Sequence, residues 1–367
     1  MWRPPSPLAE SYRRAGVDVE AEDEALKLVV EECRKTFSLR RGVGSPATPI
    51  AYFTGVVRLN EKLGLALKTD GVGTKVFIAQ LMDRYDTVGI DCVAMNVNDI
   101  ICIGAEPIAF VDYIALQRPE PRLLQEIARG LAEGARQANI TIIGGEIAQL
   151  PEMIRGKREG FGFDLAGMCV GIVELEKMIE GLKVAEGDLV VGLESSGIHS
   201  NGLTLARKIL LERAGLSLFE RVEGLDKTLG EELLTPTRIY VKPVLEMLRD
   251  GIEIHGMAHI TGRGLLNLSR ASPHAGYLLE RLPEPQPIFK IIQKYGGIPE
   301  SEMYQVFNMG VGFCLILPPS EVERALDKAE KWGVKAYILG RVVKDPERKV
   351  ILKPKGLVGV GGRFKTS

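Results

Sequence analysis

The chain has 367 residues, with 47 basic and 48 acidic side chains and a formal net charge of −1. It therefore has no whole-protein field for gripping nucleic acid non-specifically. Hydrophobic residues at 45% and charged residues at 26% exclude disorder throughout, and the length predicts two domains, each able to bury a core.

In chain order, Ala21 to Lys35 reads as a helix and residues 40–49 as a glycine- and proline-containing loop. Leu63, Leu65 and Leu67 alternate and predict a strand ending at Thr69, followed by a turn at Asp70-Gly71-Val72-Gly73. Residues 74–85 and 87–103 read as helices, the second stopped by Gly104. A strand over 107–116, a helix over 122–138 and a short strand over 140–143 follow, the last closed by Gly144-Gly145. Another strand spans about 165–174. The alternation then restarts. It gives strands near 188–193, 255–260, 311–317 and 337–343, and helices from about 203, over 236–248 and over 320–332. This is an α/β chain in two halves. The expected boundaries are an N-terminal domain at 1–176, a C-terminal domain at 177–345 and a basic, glycine-containing tail at 346–367 with no assigned role.

Five cysteines, at 33, 92, 102, 169 and 314, are odd in number and lack CxxC spacing. They predict neither a disulfide scaffold nor a cysteine zinc site, and a reducing, cytoplasmic setting. The residues after Met1 form no secretory h-region. The apolar stretch from Ile100 to Leu116 is broken by Glu106 and Asp112, so no membrane span is predicted.

Four segments could carry chemistry. In Thr69-Asp70-Gly71-Val72-Gly73-Thr74-Lys75 an acid at a strand end precedes glycines and a helix start. That arrangement suits a phosphate with a cation on Asp70, although on spacing alone an N-capped turn is the simpler reading. It is no Walker A loop. On the following helix Asp91 and Asn98 fall on one face, with Asp99 about 80° round. Such polar groups inside an apolar helix are costly unless paired or metal-bound, and Mg2+ takes a few carboxylates plus phosphates. Asp112 is a comparable anomaly in an apolar strand. Gly144-Gly145-Glu146 reads as a backbone nest with a carboxylate, or as a turn. Ser195 to Gly202 is a polar loop before a helix; its hydroxyls suit phosphate, and His199 suits acid–base work or charge stabilisation. An N-capped serine loop accounts for the same composition. His255 and His259 have zinc-like spacing, but the glycine and β-branched residues around them predict a strand entering a loop. GxSxG and a Rossmann GxGxxG are absent.

Taken together and in order, these segments closely resemble the phosphoribosylformylglycinamidine cyclo-ligase (aminoimidazole ribonucleotide synthetase) family. Tyr12 to Asp18, Gly104-Ala105-Glu106-Pro107, Leu234 to Tyr240, Ala258 to Gly264 and Phe307 to Gly312 complete the set, which covers roughly residues 10–345. The resemblance implies two α/β domains, the first building a β-barrel across a homodimer. It also implies ATP-dependent closure of formylglycinamidine ribonucleotide to 5-aminoimidazole ribonucleotide in purine biosynthesis, with Mg2+ as cofactor, small-molecule substrates, and neither nucleic acid nor membrane as partner. By motif, Asp70, Asp91 and Asp99 would hold the metal, and Gly71, Gly73, Thr74, Asn98 and Glu146 would join them around ATP. His199, His259, Asp99 and Lys75 would be catalytic. Ser196, Ser200, Asn201, Thr261 and Gly262 would bind the ribonucleotide.

Three departures from the family pattern stand out. Ile147 replaces the usual Thr after Gly-Gly-Glu, Arg41-Gly42-Val43-Gly44 replaces a Gly-Gly-Phe-Gly type loop, and Arg263 replaces a glycine. The alternatives are a sister ATP-dependent enzyme, such as thiamine-monophosphate kinase or selenophosphate synthetase, and a non-catalytic ATP-binding dimer. Cys33 in a charged helix pattern disfavours the selenophosphate reading.

Overall fold

A computed structural model describes residues 11–366 except 12, 14 and 51. Tyr12 and Arg14 of the first motif lie outside the described residues. An exposed helix, Val19–Arg34, precedes the first sheet. The first sheet then has five strands in the order β1-β2-β5-β3-β4. These are β1 (Gly55–Arg58), β2 (Leu63–Gly71), β3 (Glu106–Leu116), β4 (Thr141–Gln149) and β5 (Phe163–Glu174). The helices Val88–Ile101 and Pro121–Ala138 cover one face. Thirteen of the fourteen residues of Val88–Ile101 are buried, which explains why apolar residues predominate around it and why its four polar residues need partners. On the other face, Leu65 and Leu67 pair with Ile172 and Val170, and Met168 and Tyr113 remain exposed.

The second sheet has eight strands in the order β13-β12-β11-β8-β10-β6-β9-β7. They are β6 (Leu189–Glu194), β7 (Gly256–His259), β8 (Ala275–Leu279), β9 (Val311–Leu317), β10 (Ala336–Lys344), β11 (Val350–Leu352), β12 (Leu357–Val360) and β13 (Arg363–Thr366). Every residue of β9 is buried, as a central strand with near-continuous apolar sequence requires. No helix among the described residues is long and apolar enough to cross a membrane.

The structure corrects four sequence expectations. Strand β2 runs through Asp70 and Gly71, so the turn begins at Val72. Strand β4 does not stop at Ile143. Gly144-Gly145-Glu146 continue its parallel pairing with β3, so they form neither a nest nor a turn. Residues 236–240 are not helical, and the helix begins at Val241. The segment expected as a tail supplies β11, β12 and β13, closing one edge of the second sheet.

Candidate active site between the two sheets

The helix Val88–Ile101 presents its polar residues to the loops of the second half. Asp91 Oδ1 receives Lys75 Nζ at 2.9 Å, the Thr237 amide and hydroxyl at 2.7 Å each and the Ser200 hydroxyl at 3.1 Å. Lys75 also donates to the Thr235 carbonyl at 2.6 Å. One helical stretch further on, the Asn98 amide donates to the Arg238 carbonyl at 2.9 Å and its oxygen accepts the Tyr240 amide at 3.0 Å. Asp91 and Asn98 thus share the face that grips residues 235–240, as their seven-residue spacing predicts.

This arrangement departs from the expectation for Lys75 and Asp91. Both side chains are fully enclosed, and burial holds the Lys75 ammonium below its ordinary range despite the opposing Asp91 charge. An ammonium committed to Asp91 and Thr235 has no free path to a phosphate. Asp91 Oδ1 is saturated, while Oδ2 is buried without a partner. The pair clamps the two halves.

Asp99 faces another way. Its Oδ2 pairs with Lys68 Nζ at 2.8 Å, and its Oδ1 accepts His259 Nδ1–H at 2.8 Å. Lys68 also reaches Asp70 Oδ2 at 3.4 Å. Burial works against the charge on Asp99, but Lys68 and His259 outweigh it and hold the carboxyl below its usual range. Burial, reinforced by Asp99, raises the Asp70 carboxyl despite Lys68. Sequence reasoning missed Lys68, although it stands two residues before Asp70 on one strand and therefore on the same face.

His199 is buried and adopts a positive φ of 65°, which a non-glycine residue rarely does. Its Nε2 accepts the Ser196 amide at 3.1 Å and the Arg238 amide at 3.5 Å, so the ring proton belongs on Nδ1. Burial, with the nearby His259, Lys75 and Arg238 charges, pushes its pKa well below the ordinary 6.5. The ring is therefore neutral, and its Nδ1 is buried without a partner. Asn308 holds this loop by donating to the Gly197 and Ile198 carbonyls at 2.9 and 3.1 Å. Gly312 lets the ring approach the sheet, since a Cβ there would lie 2.1 Å from Tyr240 Oη and 2.6 Å from His199 Cε1.

The remaining predicted residues separate into groups. The Ser196 hydroxyl donates to the Pro236 carbonyl at 2.5 Å, so with Ser200 it is spent inside the protein. The Thr74 hydroxyl meets Thr204 at 2.8 Å. Gly73 adopts a φ of 69° and lies at the surface. Asn201 adjoins Gly262, where a Cβ would lie 3.0 Å from Asn201 Oδ1, and Thr261 accepts from Asn267 at 3.4 Å. Glu146 is exposed on edge strand β4, three strand spacings or roughly 14 Å from β2, and is not brought to Asp70. Gly71, Ala166, Tyr113 and Glu146 instead form one row across the sheet. Asp112 shares the adjacent row with Asp70, with Gly167 between them. Its partner on β4 is Gly145, where a Cβ would lie 2.5 Å from Asp112 Oδ1.

Among the described residues, no group of three or more His, Cys, Asp or Glu is placed to hold a metal ion by itself. The three predicted carboxylates are thus not one cluster. Asp70 and Asp99 stand together about Lys68, while Asp91 is committed elsewhere.

The sequence matches two family descriptions: AIR synthase related protein, N-terminal domain, over residues 54–173, and AIR synthase related protein, C-terminal domain, over 185–353. The phosphoribosylformylglycinamidine cyclo-ligase of Methanocaldococcus jannaschii is 47% identical over 338 residues, covering 92% of this chain and 93% of that one. Among solved structures, HypE in a HypE-HypF complex superposes with a TM-score of 0.58 at 18% identity, over 84% of this chain and 92% of that one. T. maritima PurL complexed with ADP gives 0.55 at 15% identity over 83% of this chain, which spans 44% of that protein's length. These two likenesses concern the fold. The likeness to the first relative extends along nearly the whole sequence, and the chain belongs to the phosphoribosylformylglycinamidine cyclo-ligase family.

Proposed function

We propose that the protein closes the imidazole ring of 5-aminoimidazole ribonucleotide from formylglycinamidine ribonucleotide, using ATP. The γ-phosphoryl group passes to the formyl amide oxygen and ADP leaves. The amidine nitrogen then attacks the carbon of the resulting iminophosphate. The carbon–oxygen bond breaks, phosphate departs, and the attacking nitrogen loses a proton. Phosphorylation supplies what the reaction lacks, because an amide oxygen alone is a poor leaving group. Phosphoryl transfer asks the protein chiefly for position and charge neutralisation.

The observation that carries this reading is the Asp70–Lys68–Asp99–His259 network, a partly open, hydrogen-bonded chain of polar side chains at the junction of the two halves. Asp70 and Asp99 are the carboxylates that would share Mg2+ with phosphate oxygens, because such an ion needs only one or two protein carboxylates. Lys68 would follow the charge as it develops on the transferred group. Asn98 supports His259 from behind, at 3.5 Å from its Nε2. His199, neutral and buried, would position the Ser195–Gly202 loop and residue 238 beside the site through its contacts with the Ser196 and Arg238 amides.

Homodimerisation belongs to the same proposal. The face of the first sheet away from its helices carries Leu65, Leu67, Val170, Ile172, Met168 and Tyr113, and an uncovered apolar sheet face favours a second copy. Glu146 and Ile147, exposed on the edge of that sheet, would lie beside such a partner. Sedimentation at micromolar concentration should return twice the chain mass, and Met168→Arg should return the single chain.

The activity test combines purified protein, Mg-ATP and formylglycinamidine ribonucleotide. Aminoimidazole product, read by diazo coupling, should appear in step with ADP and only when both substrates are present. ADP without product would instead favour a sister kinase acting on another acceptor.

A further inference from the structure

A cavity of about 630 Å³ opens between the two halves beside Lys68, lined also by Arg263, Arg270, Arg348, Gly361 and Gly362. Its size lies in the range of small-molecule sites. Among the described residues, Lys68, Arg263, Arg270 and Arg348 line it together with Glu347; Lys68 is paired with Asp70 and Asp99, and Glu347 with Lys349. Arg270 lies over the Phe53 ring, 4.1 Å from its centroid, an arrangement that fixes a guanidinium in orientation. Gly361 and Gly362 link β12 to β13 at φ 58° and 80°. A Cβ on Gly362 would lie 3.3 Å from Arg263 Nη1, so the turn brings bare backbone against that guanidinium. The turn belongs to the segment for which the sequence suggested no role, and Arg263 stands where the family pattern has glycine.

We propose that this cavity binds the phosphomonoester of the ribonucleotide substrate, with Arg263, Arg270 and Arg348 around the phosphate and the Gly361-Gly362 turn as its wall. The identity of the substrate rests on the cyclo-ligase reading; the phosphate chemistry does not. Two observations favour this placement. Ser196 and Ser200, the hydroxyls the sequence offered for phosphate, are engaged with Pro236 and Asp91. Lys68 lines the cavity and also pairs with Asp99, so a ligand anchored at the arginines points its other end into the charge network. Guanidinium groups recognise phosphate through paired N–H donors.

Calorimetry with ribose 5-phosphate and with ribose tests the subsite without turnover. The wild-type protein should bind ribose 5-phosphate measurably more tightly than ribose, and Arg263→Ala should weaken that binding at least tenfold. Arg348→Gly, at an exposed residue with φ 54°, should weaken it in the same direction with an unchanged melting temperature. In steady-state assays both variants should raise KM for formylglycinamidine ribonucleotide, leaving kcat within threefold and KM for ATP within twofold. Equal binding of ribose and ribose 5-phosphate by the wild-type protein would overturn the proposal. So would variants that bind ribose 5-phosphate as the wild type does, or a rise in KM confined to ATP, which would assign the cavity to the nucleotide triphosphate. Selective ribose 5-phosphate binding that is lost in Arg263→Ala, in a protein that makes no aminoimidazole, would keep the subsite and refute the cyclo-ligase reading. Turnover with unchanged KM in both variants would do the reverse.

Discussion

The helix Val88–Ile101 carries two aspartates, Asp91 and Asp99, each paired with a lysine from another element, and the two pairs have different fates. Lys75 and Asp91 are 0% exposed, and a single carboxylate oxygen collects four donors. Lys68 keeps 22% of its side chain exposed, Asp99 7% and Asp70 34%, and one ammonium is shared between two carboxylates. A saturated, sealed pair can exchange none of its partners for a ligand. A shared, partly wetted one can give up a contact to a phosphate or a cation. Charge at a domain junction therefore serves two purposes here, and the number of donors already committed separates them.

The sharpest way to break this comparison is Asp91→Ala. It leaves the Lys75 ammonium buried without its counter-charge, at a cost of about 3–5 kcal/mol. Urea denaturation should show the largest loss of stability in the series, with activity falling only as the folded fraction falls. Asp99→Asn should act in the opposite manner, reducing kcat by at least about 100-fold, the scale of a lost electrostatic contact in a transition state, while most of the stability remains. Asp99 has a lowered folded pKa. Its ion-pair contribution to stability is therefore complete above the unfolded carboxylate value near ~3.9 and disappears as pH falls through the lower folded value.

His199 gives a smaller effect with a defined sign. Its folded pKa is depressed, so between that value and the ordinary 6.5 the unfolded chain binds more protons. Stability should then fall as pH drops below 6.5, by up to about 1.4 kcal/mol per pH unit. His199→Asn should flatten that slope in urea titrations between pH 7 and pH 5. The smallest effect on folding belongs to Glu146→Gln, an exposed edge-strand change expected to shift monomer stability by less than about 0.5 kcal/mol. A larger shift that depends on protein concentration would place Glu146 at the contact between copies.

Much of this was legible in the sequence. The seven-residue spacing of Asp91 and Asn98 put them on one face, and the improbable polarity of an apolar helix marked the junction. What the spacing could not reveal was where the partners come from. Thr237 sits in a stretch whose pattern read as helix, yet Pro236 lies within it and residues 235–240 form neither helix nor strand where they meet Asp91 and Asn98. Lys75 looked like a phosphate ligand because it opens a helix after glycines, but a contact 160 residues away, at the Thr235 carbonyl, turns it inward. Strand β4 was cut short at Gly144-Gly145 because glycines usually end strands. Here Gly145 is required within the strand, where the Asp112 carboxylate occupies the space a side chain would take. The last three strands were missed because a short, basic, glycine-containing segment has no periodicity of its own. Its buried Leu357 and Phe364 acquire meaning only against the rest of the second sheet.

The most direct measurement is kcat and the urea midpoint of Asp70→Asn side by side. Asp70 is the most exposed member of the open network, so its amide should fold as the wild type does. The account predicts an unchanged midpoint with aminoimidazole formation reduced at least about 100-fold. A folded Asp70→Asn protein with near-normal turnover would remove Asp70 from the chemistry and contradict the division between the two pairs.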